Sequence, residues 1–266
     1  MKLAIISLSD EGARIANRLQ KALADADIFL HEKVAASLGG RRFKSIIMLT
    51  RKIFNQYDGL VYVAPCGVVV RALAKNIRDK RTDPGVVVVD ASGRFAVSLL
   101  GGHEGGANDL ALAVSNIIGA EPVITTTTEA IKSVIVGIGC RMGVKAEAII
   151  DAVDAALRKA NVERAEVRLL ASADIKMSEK GLLEAANILG IPIRFVKSEE
   201  IRSSRRIFSR SDFVKEKVNL PAVAEPAALL AGRRTRLILP KMTSGAVTIA
   251  LARESFSWSE SDREGL

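Results

Sequence analysis

Four glycines surround one histidine in Leu99-Leu100-Gly101-Gly102-His103-Glu104-Gly105-Gly106-Ala107-Asn108-Asp109-Leu110, between an apolar run that reads as a strand and one that reads as a helix. Glycine costs backbone entropy when it is ordered, but it permits positive φ and lets a ligand approach the main chain. The helix that follows should offer unpaired N–H groups and partial positive charge, which suit a carboxylate or phosphate. His103 is one of two histidines in the chain, the other being His31, so a site built from several histidines is nearly excluded. Proton transfer remains open to it, as does a plain turn position held by hydrogen bonds. Asn108 fits the N-cap of the helix, where its amide would also face a ligand.

A second glycine loop, Gly137-Ile138-Gly139-Cys140-Arg141-Met142-Gly143, likewise follows a strand pattern and precedes an amphipathic helix. Its Gly-x-Gly-x-x-x-Gly spacing is one residue longer than the dinucleotide fingerprint. No acidic residue ends a clear second strand about 20 residues on, so nicotinamide binding is set aside. An anion site at Gly139 and Arg141 is the better reading, with Cys140 as a packing residue. A third group joins Pro65-Cys66-Gly67-Val68-Val69-Val70-Arg71 with Asp79-Lys80-Arg81-Thr82-Asp83-Pro84-Gly85. Arg71, Lys80 and Arg81 can hold carboxylates through charge-assisted hydrogen bonds. Lys80 and Arg81 read equally well as solvated charges paired with Asp79 and Asp83. No Ser-His-Asp order, phosphate-binding Walker loop, zinc-ligand spacing or His-Glu-x-x-His pattern occurs, and no metal site is expected.

The elements that must position these residues follow from the apolar periodicity. Residues 2–8, 59–64, 86–90 and 95–100 read as strands, and 43–56, 68–76 and 109–118 as helices, with Ala13, Ala16, Leu19 and Leu23 on one face of an earlier helix. After the polar stretch 125–132 the rhythm resumes with strands at 134–138, 167–171 and 191–196 and helices at 146–157 and 181–189. Pro226 suits a helix N1 position and Gly232 a C′ position. The expectation is an α/β protein of two α/β domains, each a mostly parallel sheet flanked by helices: residues 1–128, residues 129–254, and a disordered tail over 255–266. The 266 residues and 48% apolar content suffice for two cores, and with only 4% aromatic residues those cores must be aliphatic.

A net charge of +9 favours anionic partners. The basic residues are not interleaved with aromatic rings as a base-stacking surface requires, so no nucleic acid is expected; the densest basic stretch, 202–210, reads as a solvated face. No apolar run reaches the roughly 18–20 residues of a membrane span, and Met1-Lys2 leads into apolar sequence without a signal-peptide pattern. The expected location is cytoplasmic, with Cys66 and Cys140 as thiols.

Taken together, Ala64-Pro65-Cys66-Gly67-Val68-Val69-Val70-Arg71-Ala72, the 79–84 segment, Gly102-His103-Glu104-Gly105-Gly106-Ala107-Asn108 and Gly137-Ile138-Gly139-Cys140-Arg141 resemble the cobalt-precorrin-5A hydrolase family, and in the same order. The C-terminal half is similar to that family's closing domain through Gly181-Leu182-Leu183, Pro221-Ala222-Val223-Ala224-Glu225, Leu239-Pro240-Lys241 and Val247-Thr248-Ile249-Ala250. There are departures. The family usually carries a middle region, whereas here Thr128-Glu129 runs almost directly into Ile135-Val136-Gly137. Position 102 is Gly where Ser is common, and four threonines replace a Thr-Ala-Thr-Asp pattern.

The resemblance implies a place in anaerobic cobalamin synthesis: hydrolysis of the ring A δ-lactone of cobalt-precorrin-5A, with release of acetaldehyde, to give cobalt-precorrin-5B. Non-catalytic binding or carriage of a corrinoid intermediate is the alternative. Under the first reading His103 is the general base, with Asp83 and Glu225 next in line. Gly105 and Gly106 supply amides, and Arg71, Lys80, Arg81, Gly102, Asn108, Gly139 and Arg141 hold substrate. Cobalt belongs to the substrate, and no protein-bound cofactor is implied. The implied partners are the anionic cobalt tetrapyrrole, neighbouring enzymes of the pathway and a second copy in a homodimer, with no membrane.

Overall fold

Leu3-Ala4-Ile5-Ile6-Ser7 forms β1 (Leu3–Ser7) with every residue buried, as a strand covered on both faces must be. This computed structural model describes residues 1–23, 25–208, 220 and 222–255. The chain divides into two compact units, Met1–Thr127 and Thr128–Leu266. After β1, the Ser9 hydroxyl accepts from the Gly12 amide at 3.1 Å and so caps α1 (Asp10–Ala22). Asp10 and Glu11 sit at the positive end of that helix and Lys21 in its last turn. Ala13, Ala16 and Leu19 are buried, the face that the 3.6-residue period selects.

The first unit continues with β2 (Ala26–His31), β3 (Arg41–Phe43), α2 (Ile46–Ile53), β4 (Gly59–Val63), α3 (Cys66–Leu73), β5 (Gly85–Val89), β6 (Phe95–Leu100), α4 (Ala107–Ile118) and β7 (Glu121–Val123). Its seven strands lie in the order β3-β2-β1-β4-β5-β6-β7. Every pairing is parallel except β5 with β6, where Val86 lies opposite Leu100 and Val89 opposite Ala96. Two cores result. Ile5, Val61 and Val87 face α1 and α4, while Ile6, Tyr62 and Val88 face α2 and α3. Burial lifts the Tyr62 phenol to about 12, and its oxygen lies 2.9 Å from the Thr50 hydroxyl.

The short α5 (Thr127–Ala130) begins on the last residue of the first unit, and the second unit continues through β8 (Val134–Cys140), α6 (Ala146–Lys159), β9 (Val167–Ala173), α7 (Lys180–Leu189), β10 (Ile193–Val196), α8 (Ser198–Ser203), α9 (Ala224–Leu230), β11 (Thr235–Ser244) and β12 (Val247–Glu254). Strand order is β10-β9-β8-β12-β11. The first three are parallel to one another, but β12 runs antiparallel to both its neighbours. This corrects the expectation of a mostly parallel second sheet. Gly245 (φ +55°) and Ala246 join β11 to β12 in two residues, and so short a connection makes only an antiparallel pair.

Other boundaries also differ. Phe43, expected in a helix, ends β3, and Pro226 occupies the third position of α9 rather than the first. Periodicity alone assigns no strand to 26–31, yet β2 forms there because β1 offers it a parallel partner from Leu3↔Ala26 to Ser7↔Leu30. The tail from 256 on, Pro221 and residues 209–210 of the basic stretch lie outside the described residues.

Candidate active site

Because β6 runs against β5, the histidine loop leaves β6 at the edge where β4 and β5 begin. Two main-chain positions there, Gly85 and Gly105, are packed too closely for a side chain. A Cβ on Gly85 would lie 2.4 Å from the Gly105 carbonyl oxygen, and one on Gly105 would lie 2.9 Å from the Gly101 oxygen and 3.0 Å from the Gly85 nitrogen. Gly101 (φ +66°) and Gly106 (φ +73°) are left-handed. Neighbouring backbone, not a ligand, therefore accounts for most of this glycine. The helix start is engaged too. The amides of Ala107 and Asn108 donate to the carbonyls of Gly101 and Gly102 at 3.1 and 2.9 Å, and Gly106 donates to the His103 carbonyl at 3.3 Å.

Asn108 is not the N-cap, which is Gly106; it is the second residue of α4 and is buried. Its Oδ1 accepts from the Ser98 hydroxyl at 2.8 Å and its Nδ2 donates to Thr126 Oγ1 at 3.0 Å. One amide thus joins β6, the start of α4 and the segment after β7. Gly102 fits beneath it, since a Cβ there would lie 2.5 Å from Thr126 Cγ2 and 3.0 Å from Asn108 Oδ1.

The His103 side chain is exposed, and no described residue hydrogen-bonds its ring. Beside it Glu104 pairs with Lys80 at 2.9 Å; this hydrogen bond holds the Glu104 carboxyl below its ordinary range and the Lys80 ammonium above its own. Arg81 pairs with Asp79, whose carboxyl it lowers through side-chain and backbone hydrogen bonds. Both cations therefore take the paired alternative, with Glu104 rather than Asp83 as the partner of Lys80. Asp83 is buried and accepts from the Arg78 amide at 2.8 Å, which closes the turn before β5.

Next to Glu104 and Gly105 opens a cleft of about 540 Å³, walled by the 54–58 segment and by Arg78, Thr82, Asp83 and Pro84. The pairing of Gly59 with Gly85 brings these two walls together, since Asp58 and Pro84 each immediately precede one of the paired residues. Arg78, Asp58, Ser98 and Thr126 are absent from the residues that sequence reasoning selects. The one available signal was that Gly59 and Gly85 both introduce valine-rich strands, which predicts adjacency for whatever stands before them. Tyr57 is one of the lining residues; burial first, then its 2.5 Å bond to Asp27, raises its phenol to about 12.

Arg71 is not part of this group. α3 begins beyond the carboxyl end of β4, at the opposite edge of the sheet, and Arg71 Nη1 folds back onto the Gly67 carbonyl at 3.0 Å. The expected gathering of Arg71 with Lys80 and Arg81 fails because β4 and β5 run parallel: the Arg71 guanidinium stays at the first turn of α3, beyond the carboxyl end of β4, whereas Lys80 and Arg81 stand before the start of β5.

In the second unit Gly139 is buried in β8 in ordinary contact with Val223, and it is Gly137, where a Cβ would stand 2.0 Å from the Ala224 carbonyl oxygen, whose smallness admits the start of α9. The Arg141 side chain is exposed, and its amide donates to Ala246 at 3.0 Å. The anion expected at this turn is supplied by the chain itself. Gly143 (φ +75°) donates its amide to Glu179 Oε1 at 2.8 Å, and Lys176 approaches the other oxygen at 3.5 Å. Burial pushes the adjacent Cys140 thiol up to about 11, with Lys176 opposing and Glu179 adding to the shift. Glu225, 2% exposed, accepts from the Lys241 amide at 2.9 Å. Among the described residues no three His, Cys, Asp or Glu are grouped to hold a metal ion, and no helix is long and apolar enough to cross a membrane.

Comparison with known proteins gives two family matches, the cobalamin synthesis G N-terminal family over residues 48–129 and the cobalamin synthesis G C-terminus family over residues 134–252. The cobalt-precorrin-5A hydrolase of Priestia megaterium is 24% identical, with 94% of each chain covered, over a 352-residue alignment longer than the 266 residues here. The enzyme of that name from Salmonella typhimurium is 38% identical over 128 residues, which is 48% of this chain and 36% of the relative. Protein CobE of Sinorhizobium is 34% identical over 128 residues, covering 47% of this chain and 83% of the relative.

Proposed function

The chain belongs to the CbiG-type family of cobalamin-synthesis proteins, and on that premise we propose that it hydrolyses the ring A δ-lactone of cobalt-precorrin-5A and releases acetaldehyde. The observation that carries this reading is the exposed, unbonded imidazole of His103 on a loop whose next residues wall the cleft. Water attacks the lactone carbonyl, and His103 takes one of its protons. The tetrahedral oxyanion collapses with cleavage of the acyl–oxygen bond, and the imidazolium returns the proton to the departing alkoxide. A carboxylate and a free hydroxyl on C20 remain; the hydroxyl then gives up its proton as its oxygen becomes the carbonyl of acetaldehyde, the bond from C20 to the macrocycle breaks, and the released electron pair passes into the macrocycle, which takes up a proton. Of the two amides considered for the oxyanion, Gly106 is turned onto the His103 carbonyl, which leaves Gly105 as the donor.

The lining of the cleft supports a polar ligand, and cobalt enters only as part of it. Non-catalytic corrinoid binding is the second reading; it is favoured by the lack of any described residue orienting the imidazole, since a base usually has such a partner. Replacement by Gln separates the two. His103→Gln at an exposed turn should change stability by no more than about 0.5 kcal/mol, leave corrinoid binding intact and lower acetaldehyde release by about 10²–10⁴-fold. A folded variant within about threefold of wild type removes His103 from the chemistry, and a wild-type protein that binds without releasing acetaldehyde selects the carrier.

A further inference from the structure

Four charged residues line the cleft, and the side chains of three of them are engaged. Asp58 Oδ2 accepts from the Lys2 amide at 2.7 Å, Asp83 from the Arg78 amide at 2.8 Å, and Glu104 is paired with Lys80. Arg78 is the fourth. Its main-chain amide is in use, but among the described residues its guanidinium has no ion pair, hydrogen bond or ring contact, and the residue is exposed. An arginine left unpaired in so polar a cleft is available to a ligand, and its planar fork of donors matches a carboxylate in bidentate fashion.

We infer that Arg78 is the carboxylate receptor of this site, gripping an acetate or propionate side chain of the tetrapyrrole while the cleft takes one edge of the macrocycle. The inference rests on the corrinoid reading above and goes past it, by assigning substrate recognition to a residue outside the 79–81 run of charges. Lys80 and Arg81 are held by their carboxylates, whereas Arg78, two residues before Lys80, stands without one. Its backbone already fixes Asp83 and hence the turn, so the guanidinium extends from a rigid base, and ordering it on a ligand costs only the side chain's own rotamers. Asp58 and Asp83 face the same space, and they discriminate against a carboxylate placed anywhere except on Arg78.

The test is a titration of wild type, Arg78→Gln and Arg94→Gln with two probes: a cobalt corrinoid bearing free acetate and propionate groups, and the same corrinoid with those groups amidated. Arg94 carries the same charge but is paired with Asp90 at the other edge of the sheet, so its variant controls for net charge. Arg78→Gln should weaken the carboxylate probe by about 10- to 100-fold, the range of one lost charge-assisted hydrogen-bond pair, and leave the amidated probe within about twofold. Arg94→Gln should leave both unchanged. Equal affinity of wild type and Arg78→Gln for the carboxylate probe overturns the inference, as does equal weakening toward both probes. If wild type binds neither corrinoid, the corrinoid reading falls and takes this one with it. If binding behaves as described but acetaldehyde is not released, the receptor stands and only the hydrolase assignment fails.

Discussion

Alanine at position 102 tests how tightly the histidine loop is fitted to its supports. The new Cβ would stand 2.5 Å from Thr126 Cγ2, about 1 Å short of ordinary carbon–carbon contact. Thr126 cannot swing aside freely, because its Oγ1 accepts from Asn108, which is itself fixed by Ser98. Overpacking of this kind costs about 1–3 kcal/mol, and the stiffer unfolded chain returns about 0.4–1. The net expectation for Gly102→Ala is a loss of about 1–2 kcal/mol, or a Tm lower by about 4–8 °C for a unit of this size.

Thr126→Ser removes the obstructing methyl and keeps the hydroxyl that Asn108 needs. The double variant should then recover most of the loss, with a coupling of about 1 kcal/mol or more. Urea unfolding of wild type, both single variants and the double variant, followed by far-UV circular dichroism, measures that coupling. Additivity within about 0.3 kcal/mol would refute the steric account. Gly102→Ser, which places a Cβ at the same point, should show the same dependence on Thr126.

Two further outcomes follow from titrating groups. Burial holds Cys140 as a thiol up to about 11, so at pH 8 only about one part in a thousand is thiolate; iodoacetamide should label exposed Cys66 while Cys140 reacts only after unfolding, and equal labelling of both in the folded protein would contradict the packing described. Asp90 is partly desolvated, which raises its pKa, but the amides of Phe95, Arg94 and Ser92 and the Arg94 guanidinium outweigh that and hold it below the usual carboxylate range. A depressed folded pKa contributes stability above the unfolded value of about 4 and loses it as pH falls through the folded one. Asp90→Asn should therefore cost about 1 kcal/mol at pH 7 and progressively less below pH about 4, and a penalty that stays constant in acid would show that the charge is not what stabilises the turn.

Elements whose apolar period ran without interruption were legible from sequence, as with β1 and the Ala13-Ala16-Leu19 face of α1. β2 was not, since Ala26-Asp27-Ile28-Phe29-Leu30-His31 has polar residues near both ends and becomes a strand only because β1 is there to pair with it. At the site, His103, Lys80 and Asp83 stood out as residue types in unusual company, and the structure does bring them to one edge. Arg71 looked equivalent in sequence and lies at the other edge, because strand direction depends on pairing and one-dimensional spacing is blind to it. Arg78 was passed over for a related reason. Nothing local shows which cation in Arg78-Asp79-Lys80-Arg81 lacks a partner, because the residue that pairs with Lys80 is Glu104, on a different loop.

The antiparallel turn of β6 also separates the first unit's two rims into territories that can be handled independently. The exposed Ala91 and Ser92 lie in the short link between β5 and β6, at the rim opposite the histidine loop. A fluorophore or an immobilising tether attached through a cysteine at position 92 would stand a full strand length away from His103 and Arg78, so the protein can be anchored or made luminescent from behind while its working rim stays open to ligand.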